Sequence, residues 1–179
     1  MNKASDIDLS FFPLSSIPLP QIYNLIQASF TMHSSLAFPS KAWDKLKNDN
    51  VMLSEENGFL AFCGDAPVGI ALWEVEPDYS SARMLLLAVI AQYQGKGVGN
   101  SILAEAIARI AKLGINEIYA ECYERFMRAH RLLDKHNFGI ITIKAEEHIS
   151  NYLGHNILYL HRVGKKLCRP KKRRRKGDI

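Results

Sequence analysis

The chain reads as an α/β fold, in the α+β sense of a mixed sheet with helices against its faces. Three observations carry this. Two β-rich runs, Gly58 to Cys63 and Val68 to Val75, are separated by Gly64-Asp65-Ala66-Pro67, a hairpin signature that makes them antiparallel. The most apolar run, Met84 to Ala91, is followed by the glycine-rich turn Gln94-Gly95-Lys96-Gly97-Val98-Gly99 and then by a segment of helical period. Beyond that helix an alternating run, Ile115 to Tyr123, returns as a strand, and a right-handed crossover makes it parallel to the strand before the helix.

The elements follow in order. Ile7 to Leu14 reads as a first strand, with Phe11, Phe12 and Leu14 apolar, and Pro13 confines it to an edge or ends it. Pro20 opens an amphipathic helix whose Ile22, Leu25, Ile26 and Phe30 recur at helical spacing. Thr31 to Pro39 is a loop, and Ser40 caps a short second helix carrying Ala42, Trp43 and Leu46. After the hairpin, Pro77 to Ser81 turns the chain back into Arg83 to Ile90, apolar enough to be a central strand. The next helix sets Val98, Ile102, Ala106, Ile110 and Leu113 on one stripe, pairs Glu105 with Arg109 at i,i+4, and stops at Gly114. Within Ile115 to Tyr123, the residues Ile118, Ala120 and Cys122 alternate with Glu117, Tyr119, Glu121 and Tyr123. Phe126, Ala129, Leu132, Leu133 and His136 mark a last helix, and Gly139 to Glu146 and Asn156 to Val163 close the sheet.

Size and composition suit one domain, residues 1–164, with a single core. The longest apolar run falls far short of the ~20 residues a membrane-spanning helix needs, and Met1 to Ser10 lacks the basic and apolar regions of a signal peptide. A cytoplasmic location is the expectation. Cys63, Cys122 and Cys168 are odd in number and widely spaced, and His148, His155 and His161 lack ligand spacing, so neither a disulfide framework nor a metal site is expected. The formal charge of +5 is unevenly spread. Residues 165–179 hold nine of the 23 Lys/Arg and one of the 18 acids, +8, which leaves −3 for residues 1–164. Such a like-charge tail is expected to be disordered, either as an arm for nucleic acid or another anionic partner or as a solvated terminus.

The glycine-rich turn is the most specific feature. Glycines let the backbone turn tightly and approach a ligand, and the free N–H groups and dipole of a helix N-terminus favour anionic oxygens. A phosphorylated ligand is indicated. Lys96 is followed by Gly97 rather than Ser or Thr, which argues against a nucleoside triphosphate loop. Asn100 stands where a dinucleotide fingerprint needs glycine.

The pattern Gln-x-x-Gly-x-Gly after the Leu87-x-Val89 strand end resembles motif A of the GNAT superfamily of N-acetyltransferases, and the order of elements from Ile7 to Val163 is similar throughout. The resemblance implies a mixed central sheet splayed at the acetyl-CoA site and flanked by about four helices. It implies acetyl-CoA as acyl donor without a metal, and a primary amine, on a small molecule or a protein, as acceptor. Leu87 and Val89 would pair through their backbone with the pantetheine arm, and Gln94, Gly95, Lys96, Gly97, Val98 and Gly99 would hold the pyrophosphate. A homodimer is compatible with it. The acceptor pocket would be built by Ser29 to Trp43 and Glu146 to His155.

The last helix departs from the family pattern. Ala129 and Phe138 match, while Phe126, Leu133 and Asn137 stand where the pattern resembles Asn, Tyr and Gly. The tyrosine that protonates the CoA thiolate in many members is therefore leucine here. His130, one helical turn away, and Tyr123 are the candidates to replace it, and Glu74 and Glu76 are candidates for deprotonating the amine. Loss of catalysis, leaving a CoA-binding protein tethered to an anionic partner by its basic tail, is the alternative to an enzyme.

Overall fold

The structure, a computed structural model, describes residues 7–30, 56–123, 126–145 and 156–163. Seven strands form one sheet in the order β1-β2-β3-β4-β5-β7-β6. β1 (Ser10–Pro13), β2 (Gly58–Cys63), β3 (Ala66–Val75) and β4 (Ser81–Val89) are successive antiparallel neighbours. β5 (Glu117–Tyr123) runs parallel to β4, and β7 (Asn156–Val163) lies antiparallel between β5 and β6 (Gly139–Ala145). Three α-helices occur among the described residues: α1 (Leu19–Phe30), α2 (Val98–Lys112) and α3 (Met127–Lys135). The helix expected from Ser40, the loop Thr31 to Pro39, the segment Glu146 to His155 and the basic tail lie outside the described residues.

The local chemistry explains most boundaries. β1 is an edge strand as expected but shorter, and at its end Pro13, with no N–H to give, hands over to a 3₁₀ turn at Leu14–Ser16. The hairpin turn is just Gly64 and Asp65, because Cys63 pairs with Ala66, and Gly64 takes the positive φ of +59° that the turn demands. β3 consequently starts two residues before the expected Val68. Pro67 fits inside it because it sits opposite Phe62, where the register with β2 shifts.

The two faces of the sheet bury separate clusters. On one, Ile22, Leu25 and Ile26 of α1 cover Leu60, Ile70, Leu72, Leu86 and Ala88. On the other, Val98, Ile102, Leu103, Ala106 and Ile110 of α2 cover Phe59, Ala61, Ala71, Trp73 and Ala82. Each fully buried Leu, Ile or Phe among these contributes about 1.5–3 kcal/mol. Arg109 ties α2 to the edge of the sheet. Its Nε donates to Glu105 at 2.8 Å, its guanidinium lies 4.7 Å from the Phe59 ring centroid, and Phe59 packs edge-on to both Phe11 and Trp73.

The central strand carries one residue too many. Trp73 of β3 is opposite Met84, but its neighbour Leu72 is opposite Leu86, so Leu85 is an extra residue, a β-bulge. Leu85 and Leu86 both pack on the α1 side, while Met84 and Leu87 face α2. Pairing with β5 covers only Ser81 to Met84 and stops at the bulge, although β4 continues to Val89 and β5 to Tyr123. A bulge bends its strand and sharpens its twist. The sheet therefore opens into a fork between β4 and β5.

Gly69 fixes α2 at the mouth of this fork. It pairs with Val89, and a Cβ there would meet the Ile102 side chain and lie 2.9 Å from the Ala88 carbonyl oxygen. Gly69→Ala is expected to lower stability by about 1–3 kcal/mol, the usual cost of overpacking, as measured by denaturant unfolding. A change under 0.5 kcal/mol would show that α2 stands off without cost.

Candidate active site

The fork exposes backbone. The Ile90 N–H donates to the Val68 carbonyl at 3.0 Å, which makes Val68 and Ile90 a hydrogen-bonded pair. Opposite pairs in an antiparallel ladder alternate, so Leu87 and Val89, across from Ala71 and Gly69, direct their N–H and C=O groups away from β3 and into the fork. β5 makes no ladder pair with them. These are the two residues whose backbone the sequence suggests for the pantetheine arm.

The strand then leads into the turn. Ala91–Tyr93 is a short 3₁₀ turn, and Gly95 and Gly97 have φ of +75° and +89°. Gly97 is the N-cap residue of α2 and offers no side chain, so nothing on the chain caps the helix. The N–H groups of Asn100 and Ser101 both donate to the Gly97 carbonyl, at 2.9 and 3.1 Å. Among the described residues no backbone hydrogen bond uses the N–H groups of Gly95 through Gly99. Five donors and a helix dipole thus converge without an acid in the first turn, which is an anion site. Gln94 is used differently from the expectation. Its Nε2 donates to the Val89 carbonyl at 2.9 Å, clasping the turn to the end of β4. Lys96 lies with Nζ 5.5 Å from the Tyr93 ring centroid.

A cavity of about 130 Å³ fills the fork. Met84, Leu85, Leu86 and Leu87 of β4 line one wall, Ala120, Glu121 and Cys122 of β5 the other, and Leu103 of α2 with Ala129, Leu132 and Leu133 of α3 close it. Leu133, in the place of the family's tyrosine, is among these, so the cavity has no phenol there. Burial pushes the Cys122 thiol up to about 11, which keeps it neutral and a poor nucleophile. Transfer through an acyl-cysteine at this site is disfavoured.

Glu121 supplies the one carboxylate in the lining, and sequence reasoning did not select it. It read as an outward residue of an alternating strand, and only the fork turns that position into a wall. Arg83 approaches it at 3.8 Å, too long for a strong bond, and both side chains are about half exposed, at 52% for Arg83 and 45% for Glu121. Glu74 and Glu76 do not line the cavity. Glu74 is opposite Arg83, and the Glu76 N–H donates to the Ser81 carbonyl, so both lie on the closed side of the fork, since β3 runs antiparallel to β4. His130 is not in the lining either, although its Nε2 is buried with no hydrogen-bond partner among the described residues. Tyr123 ends β5 opposite Ile157, and its side chain lies outside the described residues. His161 stacks on Tyr119 with ring centroids 4.5 Å apart, in keeping with a structural role.

With this geometry in view, the chain can be compared with known proteins. Residues 19–138 match the model of the acetyltransferase (GNAT) family, and the chain belongs to that family. It is an acyltransferase. Solved structures share the fold. The ribosomal-protein-S18-alanine N-acetyltransferase from Escherichia coli superposes with a TM-score of 0.71 at 18% identity, over 88% of this chain and 96% of that one. Ard1 from Thermoplasma volcanium gives 0.69 at 15% identity, over 88% and 98%. The yncA protein from Salmonella typhimurium, solved with its cofactor acetyl-CoA, gives 0.66 at 11% identity, over 92% and 98%. No curated protein matches the sequence. No helix among the described residues is long and apolar enough to cross a membrane.

One contact locks the turn to α3. His136 Nε2 lies 3.1 Å from Asn100 Oδ1, in the first turn of α2, and the His136 carbonyl accepts from Arg162 Nε at 3.0 Å. Burial first, then the Lys135 and Arg162 charges, holds the His136 pKa below its usual value. The unfolded chain therefore binds this proton more readily, so the contribution is intact above pH ~6.5 and declines as the pH falls below it. Melting temperatures between pH 7.5 and 5.5 should fall more for the wild type than for His136→Gln. Parallel curves would show that His136 titrates normally.

Proposed function

We propose that this acyltransferase moves an acetyl group from acetyl-CoA to a primary amine, on a small molecule or a protein, and that the reaction takes place in the fork between β4 and β5. The observation that carries this reading is continuous backbone. The free polar edge at Leu87 and Val89 leads straight into the uncapped N-terminus of α2, which matches a ligand with an amide-bearing arm and a pyrophosphate. The similarity to a fold solved with acetyl-CoA supports the same donor. Leu87 and Val89 would hold the arm, and the N–H groups of Gly95, Lys96, Gly97, Val98 and Gly99 the pyrophosphate, with Lys96 adding charge.

The chemistry needs a neutral amine beside a polarised thioester. Glu121 is the base in this reading. The ammonium form of the acceptor gives one proton to Glu121, which faces solvent and can pass it on. The amine nitrogen then forms a bond to the acyl carbon as the carbon–sulfur bond breaks. The nitrogen loses a second proton, balancing the one the departing thiolate takes up, so each turnover releases one proton. Leu133 cannot supply a proton to the sulfur. A thiolate leaves more readily than an alkoxide or amide, so transfer proceeds without a phenol at that position, and the enzyme reading is kept over that of a silent CoA-binding protein.

Two measurements test the assignment. Acetyl-CoA should raise the melting temperature, since a ligand specific for the folded state adds ~2.7 kcal/mol at a hundredfold excess over Kd. Gly97→Asp should abolish that shift by setting a side chain and a negative charge at the anion site, and an equal shift in the variant would remove the pyrophosphate assignment. Glu121→Gln should lower kcat by ~10²-fold or more while leaving the acetyl-CoA thermal shift in place, with partial recovery in Glu121→Asp. A wild-type rate in Glu121→Gln would move the base elsewhere.

A further inference from the structure

We infer that the fork cavity is an acyl-chain pocket and that the enzyme accepts short-chain acyl-CoA donors of about four carbons as well as acetyl-CoA. The inference rests on the reading above, in which the thioester lies in the fork. It adds what the far end of the cavity does.

The cavity is larger and more apolar than an acetyl group requires. Its volume of about 130 Å³ is comparable to an engineered apolar cavity of ~150 Å³ that stays dry and takes up benzene. An acetyl group would place one methyl there and leave most of the space empty, and apolar side chains bordering a void forgo dispersion contacts. The closed end lies where the strands still pair, at Met84 and Ala120, beyond the backbone edge of Leu87 and Val89. There the walls are aliphatic and tightly enclosed: Leu103 is fully buried, and Ala120 and Leu86 are 5% and 6% exposed. Leu133, 9% exposed, extends the same surface at the position where a phenol hydroxyl would otherwise stand. Glu121 is the one charged lining residue, and it lies on the β5 wall just past the last paired residue, Ala120, on the side from which the amine would come. An alkyl chain fits the rest.

Ala129 and Leu133, on adjacent turns of α3, set the depth of the pocket. A longer chain changes nothing in the bonds made and broken. The amine nitrogen still takes the acyl carbon from sulfur, the thiolate takes one proton, and one proton is released.

Because binding can be read without knowing the amine, the test compares CoA, acetyl-CoA, butyryl-CoA and decanoyl-CoA by titration calorimetry on the full chain. A buried methylene tightens binding about fourfold, so butyryl-CoA should bind about tenfold more tightly than acetyl-CoA, while the decanoyl chain should lose that gain. Ala129→Leu and Leu133→Phe, each checked for folding by its melting temperature, should cut the ratio of butyryl to acetyl affinity to near one. If CoA and acetyl-CoA bind but butyryl-CoA binds no more tightly, the pocket inference fails and the proposed function stands. If CoA itself does not bind, the proposed function fails and the inference falls with it. A butyryl preference that both folded variants retain in full would assign the chain to another site and overturn the inference.

Discussion

A single surplus residue in the central strand governs the architecture of this protein. β4 must satisfy β3 on one side and β5 on the other, and Leu85 prevents it from doing both along its whole length. Antiparallel pairing with β3 resumes after the bulge, and parallel pairing with β5 does not. The backbone groups of Leu87 and Val89 are left without strand partners in a partly enclosed place, where an unmet polar group costs about 1–3 kcal/mol. That cost is the source of the binding site. A ligand that completes the ladder recovers what the fold gave up, with no side chain required to recognise it.

The same bulge sorts the side chains. By placing two consecutive leucines on the α1 side, it keeps Leu86 and Ala88 in one core and returns Met84 and Leu87 to the other, so neither face loses its seal when the strands diverge. α2 and α3 then close the opening from one face only. The polar residue at the fork, Glu121, belongs to the opposite alternation from Ala120 and Cys122 and meets solvent. The apolar part of the reaction and the proton transfer are thereby separated across the thickness of a sheet.

Much of this was legible in the sequence, and the exceptions have physical causes. The hairpin at Gly64, the amphipathic α2 and the alternation in β5 are local patterns, and each was read with boundaries close to those observed. The glycine turn was legible because positive φ leaves few residue choices at positions 95 and 97. The bulge was not, because Met84-Leu85-Leu86-Leu87 has no residue that marks the extra one. Glu121 was passed over for Glu74 and Glu76 because its role depends on where a parallel ladder stops, which is a matter of three-dimensional register. Likewise, Asn100 and His136 meet only through the packing of two helices 36 positions apart in the chain. Leu133 was noticed as a substitution, but what surrounds it became clear only when β4, β5, α2 and α3 were seen to enclose one space.

The clasp from Gln94 to the Val89 carbonyl reaches past its own turn. It satisfies the one acceptor at the end of β4 that would otherwise compete for a donor on the incoming molecule, and it leaves the Val89 N–H pointing into the fork alone. It also joins the last residue of the strand to the loop that cradles the anion, so the two halves of the site cannot drift independently. Binding then proceeds against a surface whose ordering was completed when the chain folded, and little conformational freedom remains to be lost on association.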